Sequence, residues 1–436
     1  MIGVIILAAG QGKRMNSTLP KVLHLLGGKP MITYVLEAAQ SLAPGQIIAV
    51  TSSELKDNPV FNAITTVVQH NPQGTADAIQ VALSCLDSRI SQVVILCGDT
   101  PLLQAETLQK LTRSVADLTV VGMALQHPKQ TYGRIILDDQ QCPQAIVEYK
   151  DALSNQKALP WANSGVYKIS VPLLKELLPQ ILPHNTAGEY YLTDIVHLAH
   201  QKGYTLAMLT AEAEEFQGVN TRQDLSTAEG VLQDRWRQQL MNQGVTLLQP
   251  ETIILNYDTK IGPDCRIGPF VTFGPGVHLE KQVTILPFCH LENATIESKA
   301  HVGPFVHLRG NTVLLHGATI GNFVEVKGST IGKKAKAKHL SYIGDARVGD
   351  NVNIGAGAVT CNYNGFKKFK TTIGTGSMIG ANASLIAPLT IGDNTMIAAG
   401  SVITEDVPNN ALAISRAEQI IKNEGAKRIH KKYSNS

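Results

Sequence analysis

From about residue 250 onward a single hydrophobic beat governs the chain: an aliphatic residue or Phe returns every six positions. It falls on Ile261, Ile267, Phe273, Leu279, Ile285 and Leu291, resumes at Val302, Leu308, Ile320, Val326, Ile343, Val348 and Ile354, and closes on Ile373, Ile379, Leu385, Ile391, Ile397 and Ile403. Glycine follows many of these residues, as in Ile320-Gly321 and Ile391-Gly392, and a small or β-branched residue such as Cys265, Val283 or Ala383 sits four positions after them. Such a period predicts a parallel β-helix with three short strands per coil. Both inward positions should stack at eighteen-residue intervals, with glycine serving corners of positive φ. A sandwich would not hold one six-residue period for so long. The large break lies between Ile354 and Ile373, where TCNYNGFKKFKTT must loop out, and loops on a rigid solenoid carry function.

The first 222 residues read differently. Short apolar runs (IGVIILAAG, QIIAVTSS, AITTVVQ, QVVILCGD, DLTVVGMAL) alternate with helical stretches such as PMITYVLEAAQSL and GTADAIQVALSCL. This pattern predicts a mostly parallel, helix-covered sheet of Rossmann-like α/β type, with ligands beyond the carboxyl ends of its strands. Residues 223–243 are polar and rich in helix formers, and read as a helical linker arm. The β-helix then occupies 244–416. A basic tail, 417–436, carries no repeat and reads either as a frayed solvated end or as a flap over a phosphorylated ligand.

Composition narrows the function. Charged residues are 17% and aromatics 5%, and the net charge is only +3, which argues against disorder, an aromatic nucleic-acid platform and a general polyanion binder. No stretch reaches the ~18 apolar residues of a membrane span. Six cysteines without Cys-x-x-Cys or zinc spacing fit ordinary thiols in a reducing, cytoplasmic compartment.

Two strand ends carry candidate chemistry. Leu7-Ala8-Ala9-Gly10-Gln11-Gly12-Lys13-Arg14 lacks the third glycine of a dinucleotide fingerprint, since position 15 is Met15. A loop whose backbone N–H groups approach a triphosphate remains, with Lys13, Arg14 and Lys21 supplying positive charge. Val94 to Asp99 ends a buried strand in Gly98-Asp99. Asp99 there suits a hard Mg²⁺ ion, and equally it could cap the helix after Pro101. In the β-helix, Arg309, Lys327, His339, Tyr342, Asn353, Asn362 and Tyr363 are able to bind phosphate or sugar hydroxyls. His339 alone would be an ordinary surface residue. Among these neighbours it is a candidate base, because imidazole, with an ordinary pKa of about 6.5, can accept a proton near neutral pH.

The N-terminal motifs resemble those of sugar-1-phosphate nucleotidylyltransferases. Their union with the hexapeptide coil resembles the bifunctional N-acetylglucosamine-1-phosphate uridyltransferase/glucosamine-1-phosphate acetyltransferase family over essentially the whole chain. That resemblance implies a left-handed β-helix, a homotrimer, Mg²⁺, acetyl-coenzyme A as co-substrate, and synthesis of UDP-N-acetylglucosamine. Acetylation of glucosamine-1-phosphate comes first, and UTP then reacts with the N-acetylglucosamine-1-phosphate formed. By resemblance Leu7, Ala8, Ala9, Gly10 and Lys21 hold nucleotide phosphates, Gln69, Gly74 and Thr75 read the uracil, and Asp99 with Asn220 bind the metal. Gly133, Glu148 and Asn163 line the sugar pocket. On the coil His339 is the base, Arg309 and Lys327 clamp the sugar phosphate, and Tyr342 and Asn353 position the sugar. Ala356, Asn362, Tyr363, Ala399 and Arg416 meet the cofactor. Cys97 stands where a Tyr is usual, Ala381 replaces a Ser, and Gly310-Asn311 replaces Pro-Gly. The rival readings are a one-activity nucleotidylyltransferase whose coil only oligomerises or binds an effector, and a non-enzymatic scaffold with a degenerate nucleotide-sensing domain.

Overall fold

The computed structural model describes residues 1–125 and 131–434. The chain forms two compact units, Met1–Gln233 and Asp234–Ser436, and the helix Arg222–Asn242 contributes residues to each. Among the described residues no helix is long and apolar enough to cross a membrane.

In the first unit the strand order is Leu206–Ala211, Leu118–Ala124, Trp161–Ser170, Gln92–Cys97, Ile2–Ala8, Gln46–Thr51, Thr65–Val68. All neighbours are parallel except Trp161–Ser170, which runs antiparallel to both strands beside it. The apolar runs are continuous rather than alternating because both faces are covered. Ile5, Ile48 and Ile95 pack on one side with Ile79 of the helix Thr75–Leu83, while Val4, Ile6, Val94 and Leu96 pack on the other with Ile32 and Val35 of the helix Met31–Gln40. The central strands Ile2–Ala8 and Gln92–Cys97 end side by side, Leu7 opposite Cys97.

The second unit is the predicted parallel β-helix, and the residues of the six-residue beat are its core: Ile267, Leu279, Leu291, Ile320, Ile379 and Ile391 are all buried. The small residues four positions on, Cys265, Val283 and Ala383 among them, are buried too. Two expectations need correction. Coils are not uniformly eighteen residues long, since Ile267 pairs with Ile285 but Ile285 pairs with Val302 and Asn322 with His339, each seventeen apart. Apart from Gly303, at φ 106°, the glycines after the beat do not serve positive φ. A Cβ on Gly321 would lie 1.9 Å from the Lys338 carbonyl oxygen, and one on Gly262 would lie 2.8 Å from the Glu280 carbonyl carbon, so those glycines exist to let successive coils touch. The left-handed corners are instead taken largely by Phe, Asn, Asp, Lys and Gln, such as Phe270, Phe288, Phe305 and Phe323. Gly310 and Asn311 make one such corner together, with φ of 69° and 65°, which Pro at 310 could not adopt.

Two strands are longer than the rest. Thr319–Lys327 and Lys336–Gly344 run unbroken around a corner and so join two faces of the coil. The tail differs from a frayed end: after the last rung at Leu412–Ala413, an exposed helix spans Gly425–Tyr433, where Glu424 pairs with Lys427 at 2.7 Å. Residues 435 and 436 of the tail lie outside the described residues.

Candidate functional sites

In the α/β unit, a cleft of about 550 Å³ opens beyond the strand ends and is lined by Leu7, Ala9, Gly10, Gln69, Gly74, Thr75 and Asp99. Ala8 packs into the core instead. Gly74 is dictated by the fold: at φ 125° its missing Cβ would fall 2.4 Å from the Tyr190 carbonyl oxygen. Beside the cleft Lys21 Nζ meets Asp99 Oδ2 at 2.5 Å and Asn220 Oδ1 at 3.0 Å. The Val219 N–H donates to the Asp99 carbonyl at 2.8 Å, fixing the two loops together. Asp99 is therefore no mere helix cap, because its carboxylate is spent on a cation.

Whether these residues fit Mg²⁺ can be tested on their chemistry. One carboxylate and one amide oxygen converge on a single positive charge, and both are the hard oxygens that Mg²⁺ prefers. Among the described residues no group of three or more His, Cys, Asp or Glu side chains could hold a metal, so an ion at this place would need its remaining ligands from phosphates and water, as Mg²⁺ commonly does. Desolvation, reinforced by Asp99, pushes the Cys97 thiol up to about 12, which keeps it in the protonated form. A third group adjoins: the Asn163 N–H donates to the Gly133 carbonyl at 2.9 Å, Asn163 Nδ2 donates to the Tyr167 hydroxyl at 2.7 Å, and a Cβ on Gly133 would stand 3.3 Å from the Glu148 carboxylate. Burial raises the Glu148 carboxyl above its ordinary value.

On the β-helix, register does the assembling. Arg309 and Lys327 stand one coil apart on adjacent strands. Glu325 holds the Arg309 guanidinium through Nε at 2.7 Å and Nη2 at 2.6 Å, and Asp345 faces Lys327 at 3.7 Å. Asn362 turns inward, donating to Asp345 at 2.5 Å and to the Tyr342 hydroxyl at 3.5 Å. Lys368, from the predicted loop, comes up against Lys327, which holds its ammonium below the usual lysine range. Three cations thus gather on one face, where Glu325 holds Arg309, Asp345 faces Lys327 and the Asn362 amide steadies Asp345.

His339 lies at the corner beside this face, its Nδ1 3.1 Å from Asn322 Oδ1. With Nδ1–H donating there, Nε2 keeps its lone pair. The same corner continues downward through Ala356-Gly357 and Ala399-Gly400: the Gly357 N–H donates to the Leu340 carbonyl at 2.7 Å, the Asn382 N–H to Ala356 at 2.7 Å and the Gly400 N–H to Ala381 at 2.8 Å. Arg416 Nη1 donates to the Ala399 carbonyl at 2.8 Å. Upward, the corner carries stacked rings Phe270, Phe288, Phe305 and Phe323, with centroids 5.0 to 5.1 Å apart. A run of small residues thus leads away from His339 on one side only.

Not every predicted residue joins these groups. Asn353 pairs with Lys336 and Met378 on a different face from Tyr342, which pairs with Val359. Tyr363 points outward, its hydroxyl donating to the Gly365 carbonyl at 2.6 Å. Sequence reasoning missed Asn322, Glu325, Asp345 and Lys368. The lysine-rich run of the loop marks Lys368, whereas Asn322 becomes visible only once the coil length is known to be seventeen.

Comparison with known proteins agrees with this division. Residues 4–164 match the MobA-like NTP transferase domain, and residues 370–405 match the bacterial transferase hexapeptide with its six repeats. The chain is 42% identical to the bifunctional protein GlmU of Paramagnetospirillum magneticum over 96% of its own length and 94% of that protein. It is 43% identical to the GlmU of Paracoccus denitrificans (97% and 95%) and 42% identical to that of Wolbachia pipientis (96% and 97%). Matched by these relatives over nearly its whole length, and built of an α/β unit followed by a left-handed hexapeptide β-helix, the chain belongs to the bifunctional GlmU family.

Proposed function

We propose that the two sites carry successive steps of UDP-N-acetylglucosamine synthesis. On the coil, the amine of glucosamine-1-phosphate attacks the thioester of acetyl-coenzyme A. A C–N bond forms and the C–S bond breaks, the amine proton passes to His339 Nε2, and the imidazolium returns it to the departing thiolate, so that coenzyme A leaves as the thiol. Arg309, Lys327 and Lys368 hold the sugar phosphate, and Asn322 keeps the imidazole in the accepting tautomer. The small-residue corner from Ala356 to Ala399, with Arg416, takes the cofactor. The observation that carries this reading is the imidazole fixed between a three-cation face and that corner.

In the α/β unit, a phosphate oxygen of N-acetylglucosamine-1-phosphate attacks the α-phosphorus of UTP in line, and pyrophosphate departs. Asp99 and Asn220 hold Mg²⁺, which supplies charge neutralisation on the phosphates when bound. Lys21 and the Gly10 loop bind those phosphates, Gln69, Gly74 and Thr75 meet the base, and Gly133, Glu148 and Asn163 orient the sugar. Positioning and electrostatics suffice, with no covalent intermediate.

The active form is a homotrimer in the cytoplasm that engages neither nucleic acid nor membrane. Support for the trimer comes from Asn353, which faces away from Tyr342 in its own chain and so serves the sugar site of a neighbouring copy. Its free thiols fit a reducing compartment. The test supplies glucosamine-1-phosphate, acetyl-coenzyme A, UTP and Mg²⁺ singly and together, and reads thiol and pyrophosphate in separate channels. Thiol release should need only the first two, and pyrophosphate should appear once all are present. Pyrophosphate without any thiol release would leave only the uridylyl half of the reading. Sedimentation of the intact protein should give three chains, and a monomer with full acetyl transfer would remove the shared site.

A further inference from the structure

We infer that Asp77, a residue outside the nucleotide cleft, sets pyrimidine selectivity by fixing which end of the Gln69 amide faces that cleft. The inference rests on the reading of Gln69 as a base contact. Gln69 follows the strand Thr65–Val68, its backbone N–H donates to the Thr51 carbonyl at 3.0 Å, and its side chain is buried. Nε2 donates to Asp77 Oδ2 at 2.6 Å and to the Gly74 carbonyl at 3.1 Å. A carboxylate and a carbonyl only accept, so both demand the NH₂ end of the amide. The orientation follows from those partners rather than from shape, which cannot tell amide N from O.

Oε1 is therefore turned the other way. No described residue donates to it, and it is not one of the buried polar atoms sealed off without a partner, which leaves the cleft that Gln69 lines with Leu7, Gly74 and Asp99 as the space for it to face. Asp77 itself lines a separate pocket with Gln80, Leu178 and Tyr190, and is held in place by the Gln73 N–H at 3.3 Å. It is a positioning residue.

The consequence is a fixed acceptor where the pyrimidine edge arrives. Uracil offers N3–H there, a donor, whereas the N3 of cytosine is a lone pair. Facing two acceptors forfeits one hydrogen bond and leaves both groups unpaired. Without Asp77 only the Gly74 carbonyl, at 3.1 Å, still calls for the NH₂ end, so the amide turns its NH₂ toward the base more readily, which favours cytosine.

The experiment measures kcat/KM for pyrophosphate release by the full-length protein with UTP and with CTP, using N-acetylglucosamine-1-phosphate and Mg²⁺, in the wild type, Asp77→Asn, Asp77→Ala and Gln69→Ala. Asp77→Asn is isosteric and can offer either a donor or an acceptor. The UTP:CTP ratio should fall roughly tenfold in Asp77→Ala and by less in Asp77→Asn, through loss with UTP rather than uniform damage. Equal losses with both nucleotides in the Asp77 variants, beside a lowered ratio in Gln69→Ala, would make Asp77 a structural residue and overturn the inference alone. An unchanged ratio in Gln69→Ala would overturn the base-contact reading as well.

Discussion

The α/β unit and the β-helix build their sites by opposite means. In the first, Lys21, Asp99 and Asn220 come from loops up to 199 residues apart, and meet because parallel strands end at one edge of a sheet. In the second, the partners are one coil apart in register, as in Arg309 with Lys327 and Asn322 with His339. The sheet edge concentrates ligands from distant loops, so losing a single side chain empties a role no neighbour can fill. The coil repeats a frame whose cations are shared and whose spacing is itself a structural variable. Chemistry is the vulnerable point of one unit, and coil height that of the other.

The largest effect expected from this contrast is Asp99→Ala. Pyrophosphate release should drop by roughly 10³-fold as the anchor of the Asp99–Lys21–Asn220 cluster goes, while coenzyme A release stays within twofold of wild type as a rough bound. Retained Mg²⁺-dependent uridylyl transfer would take Asp99 out of the metal site. The mirror experiment is His339→Ala: acetyl transfer should fall by roughly 10²-fold or more with uridylyl transfer intact. Asn322→Ala should cost less, roughly tenfold in kcat with little change in KM, because the imidazole loses the partner that fixes its tautomer. An unchanged kcat would reduce Asn322 to a packing residue.

How much of this was readable beforehand follows the same divide. The six-residue beat alone placed the core of the coil and the interruption at 355–372, since burial there is set by local period. The period also misled. An eighteen-residue repeat puts Gly321 above His339, and only the shorter coil brings Asn322 there. Glycine after many of the aliphatic residues looked like a corner residue, yet at Gly262 and Gly321 it answers to a backbone in the next coil, which no local pattern reveals. In the α/β unit the Gly-rich loop and Gly98-Asp99 were legible as strand ends. That Lys21 bridges Asp99 to Asn220, and that Asp77 orders Gln69, depends on strand order and loop approach, which sequence spacing does not encode.

The glycines allow the comparison to be sharpened in stability rather than activity. Gly321→Ala drives a methyl onto backbone 1.9 Å away, which cannot swing aside as a side chain would. Overpacking of that kind costs about 1–3 kcal/mol, read as a lowered denaturation midpoint together with weakened acetyl transfer at the neighbouring corner. Gly10 has no atom within 4 Å of the position its Cβ would take. Gly10→Ala should therefore leave stability within about 0.5 kcal/mol while raising KM for UTP, because the methyl enters the cleft. Equal destabilisation by both substitutions would mean that coil contact is not what demands glycine at 321.

The smallest effect concerns how each site keeps its carboxylates. Glu325 and Asp345 on the coil each face a cation, at 2.6 and 3.7 Å. Glu148 in the α/β unit is half-buried near Asp151 and Asp194, and its carboxyl is raised from 4.5 chiefly by desolvation. The sign follows from proton counting. Between 4.5 and the raised value the folded protein holds the Glu148 proton and the unfolded chain has released it, so stability falls as pH rises through that interval and the loss is complete above it. Glu148→Gln removes this slope, and at neutral pH should raise the melting temperature slightly while pyrophosphate release falls, because the amide cannot replace a carboxylate toward the sugar. Thermal unfolding of wild type and variant across the acid to neutral range reads the difference directly. Parallel curves would show that the site carries Glu148 without a stability cost, and the contrast between a paired and an unpaired set of carboxylates would then fail.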